Sequence, residues 1–167
     1  MIGFCPGAEF GPAKRWPHYH YAELAKQLID EGYQIVLFGS AKDHEAGNEI
    51  LATLSTEQQA WCRNLAGETQ LEQAVILIAA CKAVVTNDSG LMHVAAALDR
   101  PLVALYGPSS PDFTPPLSHK ARVIRLITGY HKVRKGDAAE GYHQSLIDIT
   151  PQRVLEELNA LLLSEEG

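Results

Sequence analysis

The sequence predicts an α/β domain built on a doubly wound parallel sheet, and three observations carry that expectation. Short β-type runs bounded by turn residues alternate with stretches of helical periodicity, the pattern of parallel strands joined by crossover helices. The β-type runs are apolar almost without interruption, as in strands covered on both faces. Glycine-bearing and polar segments stand directly after the strands, where the loops of such a sheet gather at its carboxyl edge.

Ile2–Cys5 reads as the first strand. Residues 18–31 place Tyr21, Leu24, Ala25, Leu28 and Ile29 at helical spacing and close on Gly32, suited to the position just past a helix end. Residues 34–38 supply the second strand and complete one βαβ unit. A helix follows over 43–54, and 61–65 leads into a short strand or a loop. Thr69 and Glu72 have capping-box spacing, with Thr69 as N-cap ahead of the apolar run 71–80. Residues 83–86 form a strand, 89–98 a helix closed by Asp99-Arg100-Pro101, then come strands at Leu102–Tyr106 and 122–127. The last helix opens at Thr150-Pro151, an N-cap followed by proline at the first helical position. Its Val154, Leu155, Leu158, Leu161 and Leu162 make one apolar stripe; this stripe, or a patch near the cleft, is expected to be left uncovered and to favour self-association. Segments 107–119, with four of the nine prolines, and 128–143 fit no regular element, and long loops of this kind are functional or disordered.

Length and composition narrow the classes. At 167 residues and 46% hydrophobic content, one globular domain spanning 1–167 is expected, with a core that needs no staples. The net charge of −6 argues against nucleic acid as a partner, so an anionic ligand needs a local site. No apolar stretch approaches the ~20 residues of a transmembrane segment, and a cytoplasmic protein is expected. Cys5, Cys62 and Cys81 lack C-x-x-C spacing and read as reduced packing residues. His18 and His20 fall on different helix faces, and no H-E-x-x-H or carboxylate cluster appears, so no metal is implied.

Two segments carry chemistry. Gly7 to Pro17 is a glycine-bearing loop with Lys14 and Arg15 adjacent, running into a helix; it holds phosphate charge or is a solvated turn. It is neither a Walker loop nor a G-x-G-x-x-G fingerprint. In Asn87-Asp88-Ser89-Gly90-Leu91-Met92-His93 a buried strand ends in small polar residues and a helix begins. Unpaired N–H groups and the positive end of the helix dipole then face the crevice, which suits a phosphate. Ser89 adds a hydroxyl, Gly90 clears the approach, Asp88 accepts from sugar hydroxyls, and His93 lies one turn deeper. The plain alternatives are an N-capping Asp88 or Ser89 and an interior His93. Glu45 stands where doubly wound folds place an acid for a ribose, or is a surface residue. Lys132, Arg134 and Lys135 read as a solvated loop or as contacts to an anionic acceptor.

With Lys14-Arg15-Trp16-Pro17, Asn87 to His93 and Tyr106-Gly107-Pro108-Ser109-Ser110-Pro111 together, the chain resembles bacterial ADP-heptose:lipopolysaccharide heptosyltransferases, glycosyltransferase family 9, nearest the type II enzymes. The likeness spans essentially all 167 residues but only the Rossmann-like C-terminal half of that family's GT-B architecture. This half binds the nucleotide sugar in the family. The N-terminal half, absent here by this reading, supplies an aspartate as general base and much of the acceptor site. Met1 stands directly on the first strand, as a chain lacking that half would begin. The resemblance implies that Lys14 pairs with the diphosphate and that Ser89, Gly90 and Leu91 donate to it. Asp88 would hold heptose hydroxyls, His93 would lie near the phosphates, Glu45 would bind the ribose, and Thr69 would fall near the adenine. Many members carry cysteines within the stretch matching 128–143, and this chain has none there.

The implied reaction is inverting transfer from ADP-heptose to the first heptose of the lipopolysaccharide inner core, adding the second heptose in the cytoplasm at the inner face of the inner membrane. Departing ADP builds charge on the β-phosphate, which Lys14 and the helix-terminal N–H groups would stabilise without a metal or other cofactor. Each such donor is worth about 3–4 kcal/mol by analogy with oxyanion holes. A UDP-sugar-using GT-B transferase or epimerase, or a non-catalytic nucleotide-binding module, would share the fold.

Overall fold

A computed structural model describes residues 1–8, 11–108, 115–126 and 140–166. Six strands form one sheet: β1 (Ile2–Cys5), β2 (Ile35–Leu37), β3 (Cys62–Asn64), β4 (Ala83–Asn87), β5 (Leu102–Tyr106) and β6 (Ala121–Arg125). Their order is β3-β2-β1-β4-β5-β6, and every pair is parallel. This is the Rossmann-type order, with its topological switch point between β1 and β4. The apolar runs land as expected because β1, β2, β4 and β5 are buried along their whole length. The expected strand at 122–127 starts one residue earlier, and Ile127 lies outside the described residues. The open choice at 61–65 resolves as edge strand β3, where Cys62 and Asn64 are buried and Arg63 is exposed. An edge strand covered on one side needs no continuous apolar run, which is why its signal is faint.

Two layers cover the sheet. On one face α1 (His18–Asp30), α2 (His44–Thr53) and α7 (Pro151–Glu166) pack against Ile2, Phe4, Leu37, Val85 and Leu105. On the other, α4 (Leu71–Ala79) and α5 (Gly90–Ala97) cover Val36, Phe38, Val84 and Ala104. The stripe on α7 is therefore not left uncovered. Val154, Leu155, Leu158 and Leu161 are buried and Leu162 packs beside them, because α7 returns to lie against α1 and β5. Short helices α3 (Thr56–Gln59) and α6 (Gln144–Ile147) were not foreseen, being single turns capped by Ser55 and His143.

Helix ends follow local chemistry. After α1, Gly32 has φ +97°; its N–H donates to Ile29 O at 2.9 Å while that of Tyr33 reaches Leu28 O at 3.0 Å, a Schellman closure. Thr150 Oγ1 accepts from Arg153 N at 3.1 Å to cap α7. The capping box of α4 is displaced by one residue from the expected Thr69 and Glu72. Gln70 is the N-cap and Gln73 Oε1 accepts its N–H at 2.8 Å. Both pairs have the same spacing; the extended backbone at Gln70 selects the later one and releases Thr69 from capping. All three cysteines are free and buried, and burial pushes the Cys5 thiol up to about 12. Among the described residues no helix is long and apolar enough to cross a membrane.

Candidate functional site

The chain leaves the carboxyl ends of β1 and β4 to opposite sides of the sheet, opening a crevice between them. A cavity of about 360 Å³ lies there, lined by the segments that follow β1, β2 and β4 and by the start of α4. Gly7 and Ala8 come from the first, Ser40, Lys42 and Asp43 from the second, and Ser89 and Leu91 from the third. Cys5, Phe38, Leu71 and Ala74 give the cavity an apolar side.

Of the residues expected from sequence, Thr69, Ser89 and Leu91 line this cavity. Ser89 is the N-cap of α5 and its Oγ accepts from Met92 N at 3.4 Å, which is the local role anticipated for it. Gly90 opens the helix, exposed, and a Cβ built on it meets nothing within 4 Å. Asp88 sits half-buried beside them. Lys14 is partly exposed in the 3-10 turn Pro12–Lys14 and does not line the cavity wall, although Gly7 and Ala8 of the same loop do. His93 is exposed on α5, neither an interior histidine nor a lining residue.

Glu45, the acid expected from sequence, does not line the cavity. Glu45 is exposed on α2 and outside the lining, whereas Asp43, two residues earlier, is buried in the cavity wall. Its Oδ2 accepts from Ser40 N at 2.9 Å and from Ser40 Oγ at 3.1 Å, closing a capping box on the turn after β2. Its Oδ1 is buried without a hydrogen bond, 4.0 Å from a guanidinium nitrogen of Arg15. Asp43 and Lys42 were missed, yet a signal existed: Gly39-Ser40 directly after an apolar strand, with Asp three residues beyond Ser40.

Asn87 ties the two walls together. Buried at the end of β4, it accepts at Oδ1 from Trp16 N (3.0 Å) and Tyr21 OH (2.8 Å), and donates from Nδ2 to Pro6 O (2.7 Å) and Gly7 O (3.2 Å). Trp16 in turn donates Nε1 to Ile149 O at 2.8 Å.

Gly107 itself stands outside this cavity. Gly107 O accepts from Arg125 Nε at 3.0 Å and the residue packs against Ser145 and Leu146, outside the cavity lining. Ser109, Ser110, Pro111, Lys132, Arg134 and Lys135 lie outside the described residues. A second, polar hollow stands beside Pro12 and Arg15, where His18 Nδ1 meets Tyr142 OH at 2.7 Å, Glu49 at 3.2 Å and Glu140 at 3.6 Å. His20 instead bonds Ile147 O at 2.7 Å, so the two histidines share no partner among these contacts.

The family model of glycosyltransferase family 9 (heptosyltransferase) matches residues 1–143. The chain is 96% identical to lipopolysaccharide heptosyltransferase 2 of Escherichia coli K12, covering 100% of this chain and 48% of that protein. A solved structure of E. coli ADP-heptose lps heptosyltransferase II superposes with a TM-score of 0.93 at 89% identity, over 100% of this chain and 47% of that one. An E. coli heptosyltransferase solved with ADP-2-deoxy-2-fluoro heptose gives 0.71 at 25% identity, over 99% and 43%. The chain thus spans about half the length of the relatives it matches.

Proposed function

The chain belongs to glycosyltransferase family 9, the heptosyltransferases, and from that membership we propose that its 167 residues hold the nucleotide-sugar donor, ADP-heptose, of an inverting heptosyl transfer. One observation carries the reading: the segments after β1, β2 and β4 and the N-terminus of α5 enclose a single cavity at the switch point of the sheet. Its apolar side, Phe38, Leu71 and Ala74, with Thr69 at the rim, suits a purine. Lys42 and Asp43 flank the place of the ribose, so Asp43 takes the part expected of Glu45.

The diphosphate then lies against Gly7 and Ala8 on one side and Ser89, Gly90 and Leu91 on the other. Backbone N–H groups at the start of α5 are unused by the helix and complement negative charge. Lys14 closes over the diphosphate from its loop, Asp88 holds heptose hydroxyls, and His93 stands near the outer phosphate. As ADP departs, charge grows on the β-phosphate and these donors stabilise it in place, without a metal. The inner-core acceptor and the base that deprotonates it belong to the part of the relatives' length these residues do not span. With such an acceptor the protein would work in the cytoplasm, at the inner face of the inner membrane.

Calorimetric titration with ADP and with UDP, in chelator, tests the reading. Saturable ADP binding is expected, weak because a cavity this size lies near the low end for ligand sites. Preference for UDP would move the site to a UDP-sugar enzyme, and no binding of either would remove the nucleotide. With ADP-heptose and a truncated core acceptor, the 167 residues alone are expected to show no transfer. Transfer abolished by Asp88→Ala would put the base in this chain.

A further inference from the structure

We infer that Asn87 is a positioning residue for the donor diphosphate: its carboxamide sets the Lys14-bearing loop in register with the N-terminus of α5. The inference rests on the nucleotide reading above and concerns which residue holds the two halves of that site together. Asn87 is wholly buried, and its carboxamide has two donor hydrogens and two acceptor lone pairs. All four are used, on three separate stretches of chain. The carbonyls of Pro6 and Gly7 stand where the loop leaves β1, and the Trp16 amide stands where it enters α1. One side chain therefore grips the loop at both ends, with Lys14 two residues before the second grip.

The orientation of the carboxamide is not free. Backbone carbonyls only accept and a backbone amide only donates, so Nδ2 must face Pro6 and Gly7 while Oδ1 faces Trp16. A carboxylate would set oxygen against two carbonyls, and an aliphatic side chain would leave three buried backbone groups unpaired. Asn87 is also the last residue of β4 and directly precedes Asp88, Ser89 and Gly90. The loop is consequently anchored to the same few atoms that launch the phosphate-facing helix. The 3-10 turn between the two grips carries local bonds of its own, Lys14 N to Gly11 O at 3.2 Å and Arg15 N to Pro12 O at 3.0 Å.

A double-mutant cycle read by ADP titration separates positioning from bulk stability. Absence of ADP binding by the unmodified chain would overturn the nucleotide reading itself. Given binding, Asn87→Ala should weaken ADP about tenfold, yet by no more than about threefold in a Lys14→Ala background, since coupled residues are non-additive. Equal losses in both backgrounds, or an unchanged affinity, would overturn the proposal. Tyr21→Phe, which removes one bond to Oδ1 but spares both loop grips, should lower thermal stability and leave ADP affinity within about twofold. If Asn87→Ala does not fold, Asn87→Ser enters the same cycle. In the unmodified chain, saturating ADP should slow hydrogen exchange at the Trp16 amide, because a ligand on the closed loop suppresses its opening. Exchange there indifferent to ADP would sink the idea without any variant.

Discussion

Asp43 occupies the space that Gly7 leaves empty: a Cβ placed on Gly7 would stand 2.3 Å from the Asp43 carboxyl carbon. Gly39 abuts the same side chain, its Cβ position 2.7 Å from that of Asp43. The turns after β1 and β2 therefore pack around one buried carboxylate, and glycine is required on both sides for steric reasons. Gly7→Ala should destabilise the fold by about 1–3 kcal/mol, the usual cost of overpacking. The double variant Gly7→Ala/Asp43→Ala should recover most of that loss in denaturant unfolding, since the clash partner is gone. No recovery would show that Gly7 matters for another reason.

Asp43→Asn should weaken ADP binding by about 1–3 kcal/mol, while Glu45→Gln should leave it unchanged, because only the former side chain lines the cavity. Titration of the two variants side by side decides it; the reverse ranking would return the ribose to Glu45.

Gly90→Ala separates folding from binding. The new methyl meets no protein atom, and alanine loses less backbone entropy on folding, so stability should hold or rise by about 0.4–1 kcal/mol. The same methyl enters the approach to the helix N-terminus, and ADP affinity should fall about tenfold if phosphate lies there. Melting and calorimetry of one sample give both readings.

Lys14→Ala should cost about 1.5–3 kcal/mol of ADP binding and make the remainder less sensitive to salt, as expected when a cation meets a diphosphate. Equal affinity at low salt would assign Lys14 to the solvated turn.

Burial of His20 should make the stability of the fold depend on pH. Burial holds its imidazole below the usual histidine value, against the opposing effect of the bond to Ile147 O. The unfolded chain therefore binds the proton first, and stability falls as pH drops below about 6.5. Between pH 7.5 and 5.5 the unmodified chain should lose more stability than His20→Gln; parallel losses would show that His20 does not titrate differently on folding.

Much of the architecture was legible in the amino-acid sequence because its signals are local. Continuous apolar runs mark β1, β2, β4 and β5; Gly32 ends α1, Thr150-Pro151 starts α7, and Ser89 caps α5, each decided by neighbours within a turn. The open helix start at Ser89-Gly90-Leu91 belongs to the same class, since it needs only a strand, a glycine and a helix start. Tertiary structure decided the rest. Which loops meet depends on strand order, and only the placement of β2 beside β1 brings Lys42 and Asp43 into the wall and leaves Glu45 outside. The covering of the α7 stripe and the choice of Gln70 over Thr69 as cap likewise turned on how distant segments packed and where the backbone extended. Asn87 is the clearest case: its position in the motif was plain, but its four partners are 66 to 81 residues away, beyond the reach of any periodicity or capping rule.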